Sequence, residues 1–242
     1  MEFVMPKDTK FTFKRYEKKY LLQNGKYVSF FEKLQPFIRP DEYFSSTVCS
    51  IYYDNADFRL IRASIEDPVY KEKLRLRSYN VPGPDDEVFI EIKKKYKGIV
   101  YKRRISMPER DAVKYLSGEI PAHEESQIMR ETDWFLRRNK PEPKVFIACE
   151  RFAYVAKDNP ELRITFDRNI RWRETDLELT AGDYGELLLP EGDVLMEIKI
   201  PGVAPLWLAE LLSSEGIYPG GFSKYGTCYK NNLIGRFLDC LP

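Results

Sequence analysis

The sequence predicts an α+β protein with eight strands and helices in the gaps between them. Three observations carry this reading. Eight runs rich in Ile, Val, Tyr and Phe recur along the 242 residues. Several of them alternate charged and apolar residues at strand period, most plainly Lys71, Lys73, Arg75 and Arg77. Turn chemistry separates neighbours, as in Asn80-Val81-Pro82-Gly83-Pro84-Asp85-Asp86 and Lys97-Gly98.

The strand-like runs cover residues 11–22, 46–53, 69–79, 87–95, 100–107, 144–155, 162–172 and 194–200. Those between 69 and 107 read as a three-stranded antiparallel meander. Helices fill the remaining stretches. Residues 25–34 can pack Val28, Phe31 and Leu34 against the sheet. Asp57 caps a short segment to 64, and Pro108 at the first helical position opens 108–116, with acids in its first turn. Residues 124–139, 205–214 and 224–238 complete the set. No internal repeat or Gly/Ser linker divides the chain, so residues 1–242 are expected to form a single domain.

Alternation has a chemical consequence. A strand carrying Lys71, Lys73, Arg75 and Arg77 turns four positive charges to one face. Phe89-Ile90-Glu91-Ile92-Lys93, Tyr101-Lys102-Arg103-Arg104-Ile105 and Leu195-Met196-Glu197-Ile198-Lys199 repeat the idiom. Antiparallel sheets commonly turn one wet face to solvent, and Lys and Glu fill it. Here the polar face is rich in Arg and poor in Ser, Thr and Gln. If the strands close into a barrel, these faces line a wet channel suited to a highly charged anion, with a metal held by Glu.

Charge balance sharpens this. The 39 basic and 38 acidic residues nearly cancel, so an internal basic site leaves an acidic exterior. Such an exterior argues against general binding to duplex nucleic acid or anionic membrane. RNA binding ranks last, because aromatic residues do not interleave with basic ones as stacking platforms. No apolar run approaches a membrane span and no signal-peptide pattern opens the chain, so a cytoplasmic protein is expected. Cys49, Cys149, Cys228 and Cys240 form no CxxC pair, and His123 is the single histidine. Chemistry is therefore expected from Lys, Arg, Glu and Asp. There is no GxxxxGK[ST] motif. The Gly220-Gly221-Phe222-Ser223-Lys224 stretch reads as a helix N-cap, or as amides meeting an anion.

Nine segments in order carry a resemblance: Tyr16-Glu17-Lys18-Lys19-Tyr20, Ser50-Ile51-Tyr52-Tyr53-Asp54-Asn55, Lys73-Leu74-Arg75-Leu76-Arg77-Ser78-Tyr79, Phe89-Ile90-Glu91-Ile92-Lys93, Tyr101-Lys102-Arg103-Arg104, Glu150-Arg151-Phe152-Ala153-Tyr154, Leu162-Arg163-Ile164-Thr165-Phe166-Asp167, Met196-Glu197-Ile198-Lys199 and Phe222-Ser223-Lys224-Tyr225. Together they resemble the VTC (vacuolar transporter chaperone) polyphosphate polymerase domain of the triphosphate tunnel metalloenzyme superfamily, in its stand-alone bacterial form. The resemblance spans about residues 10–235. It implies an eight-stranded antiparallel β tunnel with flanking helices. It also implies transfer of the ATP γ-phosphate to a growing polyphosphate chain, with Mn²⁺ or Mg²⁺. By similarity the phosphate-gripping residues are Lys19, Arg75, Arg77, Lys93, Lys102, Arg151, Arg163, Lys199 and Lys224, of which Arg75, Arg77, Lys93, Arg151 and Arg163 hold the nucleotide. The metal falls to Glu197, with Glu91 and Glu17 assisting it or balancing charge. Two alternatives stay open: a triphosphate hydrolase in the same tunnel, and a non-catalytic binder of polyphosphate or inositol phosphate. Two departures matter. Gly221 replaces a basic residue present in some relatives, and Arg15 replaces the first acid of the hydrolases' Glu-x-Glu-x-Lys signature.

Overall fold

The computed structural model describes residues 15–66, 69–97, 99–121 and 126–235. Its strands are β1 (Arg15–Leu22), β2 (Ile38–Asp54), β3 (Tyr70–Tyr79), β4 (Glu87–Tyr96), β5 (Ile99–Pro108), β6 (Glu142–Ala156), β7 (Arg163–Arg173), β8 (Glu186–Leu187) and β9 (Val194–Pro201). Its helices are α1 (Asn24–Leu34), α2 (Arg59–Ile65), α3 (Glu109–Ser117), α4 (Gln127–Asn139), α5 (Leu206–Ser214) and α6 (Lys224–Cys228), the last running on into a π turn (Tyr229–Leu233). The eight main strands form one sheet in the order β1-β9-β7-β6-β2-β3-β4-β5, with β8 beside β7. Every pairing is antiparallel.

The period-2 pattern fixes how the sheet is covered. One set of alternate residues faces outward under helices. Ile51, Leu74, Leu76, Ile90, Ile92 and Phe146 pack under α3 and α4 through Tyr115, Met129 and Phe135. Ile164, Phe166, Met196 and Ile198 pack under α1 and α5 through Phe30, Leu34 and Leu208. Burying each such side chain contributes about 1.5–3 kcal/mol relative to exposure. The other set faces inward. Part of it is apolar (Val48, Tyr52, Val145, Ile147, Cys149 and Leu195) and is plugged by Ile61 of α2 and by Tyr225 and Cys228 of α6. The rest of the inner face is charged.

The sheet curls strongly. Glu17 on β1 reaches Lys93 on β4 at 3.8 Å, although five strands lie between them in the sheet order. Among the described residues no ladder joins β1 to β5, so the expected barrel is a curled sheet whose seam is bridged by side chains. The C-terminal segment helps to bridge it. The Gly220 amide donates to the Lys19 carbonyl, and Lys73 Nζ donates to Ser223 Oγ at 2.9 Å.

Several boundaries differ from expectation. β2 begins at Ile38 rather than near 46, because Pro40 sits beside a register shift between Pro40 and Ser45, where the ladder needs no donor. Pro108 ends β5 instead of opening a helix; α3 starts one residue later. Asp54, not Asp57, caps α2: its carboxylate accepts from the Leu60 and Ile61 amides at 2.8 and 2.9 Å. β8 was not expected. It lies so close to β7 that a Cβ on Gly185 would stand 2.4 Å from the Trp172 carbonyl oxygen. Ser126 caps α4 through the Met129 amide. The earlier start expected for α4, the reading of His123 as a helix-start residue, and the residues beyond 235 of the last predicted helix lie outside the described residues. Cys49, Cys149 and Cys228 are buried free thiols. No helix among the described residues is long and apolar enough to cross a membrane.

Candidate functional site

In an antiparallel pair, residues directly opposite each other share a face. Lys19 faces Glu197, Glu17 faces Lys199, and Lys199 faces Arg163. Arg151 faces Asp167. Arg75 faces both Tyr52 and Glu91, while Lys93 faces both Lys73 and Lys102. Following these registers around the sheet puts Lys19, Arg75, Arg77, Lys93, Lys102, Arg151, Arg163 and Lys199 on one inner face with Glu17, Glu91 and Glu197. Lys224 enters the same face from the start of α6, through Asp167. The structure thus brings together every residue expected at the site.

Glu91 organises one half. Its side chain is 1% exposed and accepts from Arg75 Nε at 2.7 Å, Lys102 Nζ at 2.6 Å and Arg104 Nε at 2.7 Å. Arg77 Nε lies 3.9 Å away and donates to Ser50 Oγ at 3.2 Å. Burial alone would push the Glu91 carboxyl up; Arg75, Arg77 and Lys102 outweigh it and hold it far below the usual carboxylate range. Tyr52 stacks on Tyr225, with centroids 4.9 Å apart, and its hydroxyl accepts from Arg75 at 3.3 Å. Burial pushes this phenol up, but Arg75, Arg77 and Lys224 bring it down to about 8. Lys73 is also lowered to about 8, by burial against the help of Tyr52, with Lys19, Lys71 and Lys93 adding repulsion.

Asp167 organises the other half. It is fully buried and takes a two-pronged contact from Arg151 at 2.6 and 2.7 Å, together with Lys224. Burial pushes its carboxyl up, and Lys224 and Arg151 override this to hold it well below its ordinary value. Glu197 lies 3.4 Å from Lys19. Burial again opposes ionisation, and Lys224 and Lys19 draw its pKa down to about 2. Lys19 also stands 3.7 Å from Glu17 and donates to the Phe222 carbonyl at 3.2 Å. Arg163 pairs with Asp41. Ser223 caps α6 as expected, accepting from the Gly226 amide at 3.2 Å.

The expected set omitted Lys73, Arg104, Asp167, Tyr52 and Thr165, all on the same face. Adding Lys73 and Arg104 to the nine expected cations gives eleven, against the five carboxylates that meet them, Glu17, Asp41, Glu91, Asp167 and Glu197. Removing these from the whole chain leaves 28 basic and 33 acidic residues elsewhere. The inside is strongly positive, the remainder net acidic.

No group of three or more His, Cys, Asp or Glu among the described residues could hold a metal ion. Glu91 and Asp167 are wrapped by cations at hydrogen-bond distance, whereas Glu197 has one Lys at 3.4 Å. This donor set does not make a resident cage. It fits a hard cation that arrives on phosphate oxygens and accepts one or two protein carboxylates, as Mg²⁺ does.

The protein is thus a strongly curled antiparallel sheet whose inner face is lined with cations. Residues 14–232 match the VTC domain family, and the chain belongs to it. It is 26% identical over 169 residues to vacuolar transporter chaperone complex subunit 4 of Trypanosoma cruzi (strain CL Brener). That match takes in 58% of this chain but 20% of the relative, so the chain spans about a fifth of its length. Among solved structures, a candidate adenylate cyclase of Bacillus halodurans superposes with a TM-score of 0.53 at 15% identity, covering 91% of this chain and 95% of that one. At that identity the likeness is one of fold.

Proposed function

We propose that the protein is a polyphosphate polymerase that transfers the γ-phosphoryl group of ATP to the end of a polyphosphate chain lying along the inner face. The observation that carries this is the excess of eleven cations over five carboxylates on a single curled face. A polyanion is the ligand class that can compensate it. Membership of the VTC family and the resemblance of the nine ordered segments support the same reading.

In this reading Arg75, Arg77, Lys93, Arg151 and Arg163 grip the nucleotide phosphates, and Lys19, Lys102, Lys199 and Lys224 grip the chain and the group in transit. Glu197, with Glu17 beside Lys19, is the pair of carboxylates that would hold a divalent ion. Both oxygens of Glu91 are taken by Arg75, Lys102 and Arg104, which supports charge balance as its role. The terminal oxygen of the chain attacks the γ-phosphorus, the bond to the β-phosphate oxygen breaks, and ADP leaves. A terminal phosphate is already largely ionised at neutral pH, since its second pKa is about 6, so no protein base is needed. Catalysis then consists of holding the two phosphates in line and stabilising charge on the equatorial oxygens, which a fixed row of Arg and Lys does. Glu197 and Glu17 would hold a divalent ion such as Mn²⁺ or Mg²⁺ brought in with the nucleotide, and it would add to the neutralisation of phosphate charge.

Incubating the pure protein with γ-labelled ATP, Mn²⁺ and a short polyphosphate primer tests the assignment. The expected result is a ladder of labelled chains with matching ADP release. Free phosphate without a ladder assigns a triphosphate hydrolase instead, and primer binding without turnover assigns a binding module.

A further inference from the structure

Thr165 lies on β7 between Arg163 and Asp167, opposite Glu197 on β9. It is 6% exposed, yet its Oγ1 has no hydrogen-bond partner among the described residues. An unpaired buried hydroxyl is costly, and strand propensity does not account for it, since Val would suit the same place without the penalty. Its neighbours on the inner face narrow what the hydroxyl can serve. Ala153, opposite it on β6, offers no polar side chain. Asp167 is occupied by Arg151 and Lys224, and Arg163 pairs with Asp41. That leaves Glu197. Directly opposed residues have Cβ atoms about 4.5–5.5 Å apart, within reach of a hydroxyl-to-carboxylate hydrogen bond. Glu197 instead lies 3.4 Å from Lys19.

We propose that Thr165 is a positioning residue whose hydroxyl donates to Glu197 and fixes the carboxylate orientation that receives the divalent ion of a bound metal–nucleotide. The proposal rests on the metal role given to Glu197 above. When an incoming phosphate takes Lys19, the Thr165 hydroxyl is the donor across the β7–β9 ladder still open to Glu197. Carboxylates that ligate metals are themselves held by such hydrogen bonds, and losing one weakens metal affinity 10–100-fold as an order of magnitude.

The test titrates Mn²⁺ into protein saturated with β,γ-imido-ATP and reads free Mn²⁺ by electron paramagnetic resonance. Thr165→Val is expected to weaken Mn²⁺ binding about tenfold while its thermal midpoint stays equal to or above that of the wild type. Thr165→Ser is expected to restore binding to within about twofold, because it returns the donor without the methyl group. Wild-type affinity in Thr165→Val, a loss that Ser does not restore, or a loss accompanied by a lowered midpoint in both variants would each overturn the proposal. Glu197→Gln separates the two levels. If it loses Mn²⁺ while Thr165→Val does not, only the role of Thr165 fails. If it binds Mn²⁺ like the wild type, the metal role of Glu197 fails and that of Thr165 with it.

Discussion

At the scale of single residues, the site is a set of cations held apart by a few carboxylates. Glu91 and Asp167 each neutralise part of a cluster that would otherwise repel itself. Lys73 and Tyr52 register the remaining strain, both lowered to about 8. The sign of the pH effect follows. Below that value Lys73 is an ammonium and Tyr52 a neutral phenol. As pH rises through 8 the site loses a positive charge and gains a negative one, so affinity for tripolyphosphate falls, by about tenfold or more for one lost charged contact. Stability moves the other way. The unfolded chain keeps these protons up to ordinary values of about 10, so between 8 and 10 it binds more protons than the folded one, and both groups make stability rise with pH. Tripolyphosphate binding measured from pH 7 to 9 is expected to drop steeply in the wild type and to run flatter in Lys73→Met. Much of this scale was legible in the sequence. Alternation alone puts Lys73 in phase with Arg75 and Arg77, and Arg104 in phase with Lys102, so both were readable there and left out. Asp167, Tyr52 and Thr165 were not: their roles come from cross-strand neighbours, and spacing along one chain does not say which strands are adjacent.

At the scale of elements, the strands were readable because the apolar–charged period is strict where both faces are occupied. Where it lapses, boundaries moved. The first half of β2 carries Pro40, Asp41 and Glu42, residue types disfavoured within strands, yet a bulge accommodates them. The cap of α2 was misplaced for a related reason. By spacing Asp57 lies nearer the start of α2, but the turn after β2 brings the Asp54 carboxylate to the first-turn amides. Asp54 also accepts from Tyr225 Oη at 3.0 Å, so a single buried carboxylate ties the end of β2 to α2 and α6. Asp54→Ala should therefore destabilise by about 2–4 kcal/mol, the sum of a lost cap and unpaired buried donors. Urea unfolding followed by fluorescence reads this as a lower midpoint with an unchanged slope. A loss under about 0.5 kcal/mol, the range of an ordinary surface substitution, would contradict the role given to Asp54.

At the scale of the whole molecule, two outer cores hold the sheet in its curl, and the inner face is shared between an apolar plug and the charged site. Partitioning charge this way explains how a chain with net charge of only +1 builds a strongly basic interior. The central claim is that this inner face, and not the exterior, binds the polyanion. Equilibrium binding of a polyphosphate chain to two double variants tests it most directly. Arg75→Ala with Arg77→Ala removes two inner cations. Lys94→Ala with Arg103→Ala removes two that pair with Glu131 of α4. With unfolding midpoints shown to be preserved, the inner pair is predicted to lose at least about a hundredfold in affinity, two charge-assisted contacts of about 1.5–3 kcal/mol each, while the outer pair binds like the wild type. Equal losses in the two variants, or wild-type affinity in the inner one, would contradict the account.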